Sequence, residues 1–99
     1  LKETLMPLAR WNGVVLAESD RFEEVEGNIY FPPDALNQAH FKPSDKTTFC
    51  GWKGTAEYFT IEAGGEVNEN AAWVYRDPKS AAANIKDHVA FWRGVEVER

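Results

Sequence analysis

The run over residues 57–75 constrains this chain more than any other. Glu57-Tyr58-Phe59-Thr60-Ile61-Glu62 broadly alternates polar with apolar side chains, Gly64-Gly65 follows, and residues 66–75 return in the same style. Alternation at period two marks a strand with one covered face, and paired glycines accept the positive φ that a tight reversal needs. The run reads as a central β-hairpin. The number of turn residues and the cross-strand register stay open at this level.

Shorter runs repeat the theme, with turn signals every ten residues or so. Asn12-Gly13 sits between the apolar stretches 8–11 and 14–17, and Asn-Gly in that setting is the strongest short-range hairpin signal. Residues 21–26 and 28–31 form two brief strands around Gly27, until Pro32-Pro33 ends any ladder for want of N–H donors. Residues 89–92 and 95–98 make final strands beside Gly94. Two segments read as helical: a turn over 34–40, started by the prolines, and a short helix over 79–86, capped by Asp77 and carrying Pro78 at its first position. Together these elements predict a mainly β fold, with two small antiparallel sheets and one or two short helices, as a single domain over residues 1–99.

Four Trp, three Tyr and six Phe are enough to build a small core from few residues, because each buried ring removes about 150–250 Å² from water. One cysteine rules out an internal disulfide and a Cys-only zinc site, so no metal site is expected and a reducing cytoplasm fits best. The net charge of −5 argues against nonspecific binding to nucleic acid or an anionic membrane, which needs a positive footprint. No apolar run approaches the roughly 20 residues of a membrane span.

The candidate chemistry gathers near Cys50. A nucleophilic thiolate needs a nearby cation to lower its pKa and a base within reach; Lys53 is close in sequence, and His88 is the second candidate partner. The plainer reading of Cys50 is a small buried hydrophobe. Gly51-Trp52-Lys53-Gly54-Thr55 is not a phosphate loop, because its lysine precedes the second glycine and a strand follows. Lys53 is left as an anion contact helped by threonine hydroxyls, or as a solvated side chain at a strand start. His88 reads as a general base or as a backbone-bonded junction residue. Glu24 and Glu26, like Glu96 and Glu98, share a strand face that either holds Mg²⁺ or is simply solvated. The many aromatics either line a concave site or fill a thin two-layer core.

Five blocks in order, Tyr30-Phe31-Pro32-Pro33, Pro43-Ser44 with Thr47-Thr48, Cys50 with Lys53-Gly54-Thr55-Ala56 and Tyr58, Glu69-Asn70-Ala71-Ala72-Trp73 with Tyr75, and His88-Val89-Ala90-Phe91-Trp92, resemble a small bacterial and fungal domain of unknown function that carries a nucleotidyltransferase-type (NTP transferase) label. The resemblance implies a compact β-rich domain similar to the β-tent group, in which two small sheets lean together around a pocket or a zinc site. It departs from the family pattern at Gly51, where the family often has proline, and at Asp87, where it often has glycine. The residues themselves show neither the metal-holding carboxylates nor the phosphate loop that nucleotidyl transfer requires.

Three functions follow as expectations. The first is a domain binding a small polar, aromatic or anionic ligand through Tyr30, Thr48, Trp52, Tyr58, Trp73 and Tyr75, with no cofactor assigned. The second is an enzyme using Cys50 with Lys53 or His88. The third is an interaction or self-association module.

Overall fold

The computed structural model describes residues 6–99, so residues 1–5 of the expected domain lie outside the described residues. Asn12 and Gly13 both adopt positive φ, 52° and 76°, and β1 (Leu8–Trp11) folds straight back as β2 (Val14–Glu18) with Trp11 opposite Val14. Glu26 and Gly27 do the same between β3 (Glu23–Val25) and β4 (Asn28–Tyr30). The central hairpin pairs β6 (Gly54–Ala63) with β7 (Glu66–Val74) through a two-residue turn at Gly64 and Gly65. Asn12 Nδ2 donates to the Ala63 and Gly64 carbonyls at 3.0 and 3.3 Å, which ties the first hairpin turn to the central one. A Cβ on Gly64 would run into that side chain, so this glycine answers to both space and φ.

With β5 (Phe41–Cys50), β8 (Val89–Phe91) and β9 (Glu96–Glu98), the strands form three antiparallel sheets ordered β2-β1-β9, β3-β4 and β5-β6-β7-β8. The fold is mainly β, as the sequence predicts, with the β3-β4 ribbon added to the two sheets expected. That ribbon runs on into the largest sheet, since Phe31 and Val89 exchange both backbone hydrogen bonds at 2.8 Å.

The helical expectations need correction. Residues 34–40 form two separate 3-10 turns, Pro33–Ala35 and Gln38–His40. Between them Leu36 bridges to Ala17, and the Asn37 N–H and side chain reach the Leu16 and Val15 carbonyls, so the chain is pulled out straight against β2. Residues 79–86 hold a 3-10 helix over Ser80–Ile85, broken at Ala82 (φ −117°), with no side-chain cap from Asp77. Its buried residues, Ala82 and Ile85, lie three apart, which suits the three-residue period. Both ends are tethered, through Lys79 N–H to the Lys53 carbonyl and Asp87 N–H to that of Tyr75, leaving no length for a regular helix. Residues 43–49 extend as part of β5 instead of looping. Pro43 is tolerated because β5 is an edge strand whose register shifts between Pro43 and Thr47.

Period-two alternation splits the core in two. Phe31, Phe59, Val74, Val89 and Phe91 pack with Leu16, Ile29, Phe41 and Ile61 on one face of the large sheet, while Tyr30, Tyr58, Trp73, Tyr75 and Ala90 pack with Ala82 and Ile85 on the other. Among the described residues no helix is long and apolar enough to cross a membrane.

Candidate ligand-binding face

The β5–β6 turn builds one end of the site. Cys50 pairs with Gly54, and Gly54, at φ 111°, lies so near residues 77–79 that a Cβ placed on it would sit 3.5–3.7 Å from their backbone. Lys79 fastens the turn from outside through its Nζ to the Gly51 carbonyl at 2.6 Å. Lys53 is then turned inward. Only 7% of it is exposed, and its ammonium forms an ion pair with Glu26 while lying 5.4 Å from the centroid of Tyr75 and 5.6 Å from that of Trp52. The solvated-lysine reading fails here, because Glu26, at positive φ in the β3–β4 turn, supplies a carboxylate that makes burial tolerable.

The electrostatics follow from that contact. Burial works to lower the Lys53 pKa, but the hydrogen bond to Glu26, together with the Tyr30 and Tyr75 hydroxyls, outweighs it and the net direction is upward. The Lys53 bond draws Glu26 below its ordinary value against a smaller effect of burial, helped by Trp52 Nε1 at 3.4 Å. Burial raises Tyr75, with Lys53 opposing. Lys53 therefore stays cationic.

The other end is aromatic. Tyr58 and Trp73 stand opposite each other across β6 and β7, with Ala90 next in line. Trp73 Nε1 donates to the Tyr30 hydroxyl at 3.1 Å, its ring meets Tyr30 edge-on at 6.2 Å and Trp92 edge-on at 6.1 Å, and Tyr58 lies 6.3 Å from Trp92. Trp92 is 41% exposed yet held, since its Nε1 donates to the Asn70 carbonyl at 2.5 Å. Cations sit on two of these rings: Lys46 Nζ is 5.4 Å from the Tyr58 centroid and Arg93 Cζ is 4.6 Å from that of Trp92. Thr48 Oγ1 lies 3.0 Å from the Tyr58 hydroxyl.

The structure thus brings Tyr30, Tyr58, Trp73, Tyr75 and Lys53 together, with Thr48 at one rim and exposed Trp52 beside the Glu26–Lys53 pair. Cys50 is a half-buried free thiol at the end of β5. His88 stands apart: its Nδ1 lies 2.8 Å from the Lys86 carbonyl, and no hydrogen bond joins it to Cys50 or Lys53 among the described residues. Lys46, Trp92 and Arg93 are not among the site residues the sequence suggests, and Glu26, which the sequence offers only as half of a Mg²⁺-holding face, is instead the partner of Lys53. Trp92 was within reach of that reading, because it lies two residues beyond Ala90 on a strand of period two. Arg93 is the immediate neighbour of Trp92, whereas Lys46 and Glu26 reach the site through pairings between separate segments.

Glu24 and Glu26 do not share a strand face as the sequence predicts: β3 ends at Val25, Glu26 turns away at φ 53°, and the two carboxylates go to different cations. Glu24 makes two bonds to Arg99 at 2.8 and 2.7 Å, a contact that lowers the pKa of the carboxyl. Among the described residues no group of three or more His, Cys, Asp or Glu side chains is placed to hold a metal ion.

Antiparallel sheets closing over a Phe/Val core, with a Tyr/Trp face turned partly to solvent, define a small all-antiparallel β domain with an aromatic surface. The chain belongs to the family described as Domain of unknown function (DUF427), labelled NTP_transf_9, whose model matches residues 7–99. No curated protein matches it.

Proposed function

We propose that the chain is a single cytoplasmic domain that binds a small planar anionic ligand on the Tyr58–Trp73–Trp92 face. The observation that carries this reading is Trp92, a large apolar side chain left 41% exposed but fixed by its hydrogen bond to Asn70, with Lys46 and Arg93 cations over the adjoining rings. An aromatic ligand stacks on such a surface, and its anionic group meets Lys46 or Arg93. Titrating tryptophan fluorescence with a panel of aromatic carboxylates and phosphates tests this. At least one compound is expected to quench saturably, with the response lost in Trp92→Ala and weakened in Lys46→Ala. A response unchanged in Trp92→Ala, or a panel that leaves the fluorescence untouched, sinks the reading.

A second reading makes Cys50 a nucleophile or redox thiol with Lys53 or His88. It draws on the incomplete burial of Cys50, three residues from a lysine held cationic. Alkylation rate against pH discriminates: fast modification below pH 7 favours an activated thiolate, and slow modification removes it.

A further inference from the structure

On the Phe/Val side of the large sheet, a cleft of about 310 Å³ opens beside the Pro33–Ala35 turn. That lies at the lower end of the roughly 300–1,000 Å³ of small-molecule sites. Its apolar lining is Leu36, Phe59, Val74 and Val89, joined by Arg76 and Asp87. Val74 and Val89 are each 1% exposed and sit in register on adjacent strands, so the floor is rigid.

The charged pair is placed by the backbone. Tyr75 and Lys86 form a parallel bridge, and the Asp87 N–H donates to the Tyr75 carbonyl at 3.0 Å, which sets Arg76 beside Asp87. The two are not paired with each other. Arg76 reaches Glu57 through Nε at 3.4 Å and lies 5.7 Å above the Phe59 ring, and Asp87 has no ion pair among the described residues. A neighbouring cation and anion at the edge of a cleft with a mixed polar and apolar lining complement a ligand that carries both charges on groups attached to one carbon, beside an apolar body. A carboxylic acid alone would meet repulsion from Asp87 and Glu57, and an amine alone would leave Arg76 without a second anionic partner.

We propose that this cleft binds a free α-amino acid with an apolar side chain: carboxylate on Arg76, ammonium on Asp87, and side chain against Leu36, Phe59, Val74 and Val89. The site is separate from the aromatic face, which lies on the opposite side of the same sheet.

The test is NMR titration of the labelled protein with L-leucine and L-phenylalanine, following the methyl signals of Leu36, Val74 and Val89. Saturable shifts are expected. Leucine amide and N-acetyl-leucine each lose one charged contact and are expected to bind about tenfold more weakly or worse. Arg76→Gln weakens leucine but not its amide. Asp87→Asn, which suits the left-handed φ of 60° at this position, weakens leucine but not N-acetyl-leucine. Trp92→Ala leaves leucine binding unchanged, so failure here is distinguishable from failure of the aromatic face. Unmoved methyl signals with both amino acids, or 4-methylpentanoate binding as well as leucine, would overturn the proposal.

Discussion

The two faces of the β5-β6-β7-β8 sheet are built from neighbouring residues and solve different problems. Phe31, Phe59, Val74, Val89 and Phe91 point to one side, and Tyr30, Tyr58, Trp73 and Ala90 to the other. On the first side the buried rings pack on other apolar groups, as in the edge-on contact of Phe31 with Phe91 at 5.8 Å, with Arg76 over Phe59 at the margin. On the second, nearly every ring carries a polar tip with a partner: Trp73 with Tyr30, Tyr58 with Thr48, Trp92 with Asn70. The first face is dry where its rings interlock and opens only in the cleft beside the Pro33–Ala35 turn, while the second leaves Trp92 partly open to water. Its one buried cation, Lys53, is matched by Glu26.

Truncating the closed face breaks the comparison hardest. Phe31→Ala is expected to cost about 3–5 kcal/mol in chemical denaturation, as large-to-small core changes do. Phe31→Tyr keeps the ring but places a hydroxyl among carbon, at about 2 kcal/mol. A near-neutral result would show that this face is wetter than its packing implies.

Glu26→Gln comes next, with a smaller loss than the ring truncation, since a charge-assisted bond to Lys53 is lost but Glu26 itself is half-exposed. The pH dependence has a definite sign. The carboxyl of Glu26 lies below its ordinary 4.5 when folded, so its contribution is present above that value and fades as pH falls through the folded pKa. Lys53, raised above 10.5, contributes below that value and loses its contribution as pH rises through the folded pKa. Unfolding midpoints against pH should therefore fall less steeply on the acid side in the variant.

Tyr30→Phe removes only the acceptor of the Trp73 N–H and is expected to cost about 1 kcal/mol, less than the reverse change at its neighbour Phe31. Lys46→Ala, which lifts a half-buried cation from Tyr58, should cost about 0.5–1 kcal/mol while weakening any anionic ligand. If Tyr30→Phe proved as costly as Phe31→Tyr, the distinction between the faces would lose its basis.

Legibility tracked how local each feature is. The Asn12-Gly13 and Gly64-Gly65 turns were readable because residue types that accept positive φ leave few alternatives, and the strands around them followed from period two. The segment over 79–86 read as an ordinary helix because capping and alanine content are local signals, whereas the tethers to Lys53 and Tyr75 that tighten it lie far away in sequence. Pro43 is a strand breaker by local rules alone, because the edge position that excuses it belongs to the sheet. Lys53 stays open between an anion contact and a solvated side chain in the sequence because the carboxylate it meets lies 27 residues earlier.

The sequence by itself determined where this chain reverses and which residues alternate, since φ preferences and side-chain period act between neighbours. Only the tertiary structure decided which alternating set became the dry core and which the aromatic face, that Lys53 would be buried against Glu26, and that Arg76 and Asp87 would meet beside an apolar cleft. Each of those depends on strand pairings that bring distant segments together, and the free energy of such contacts exists only after the chain has closed them.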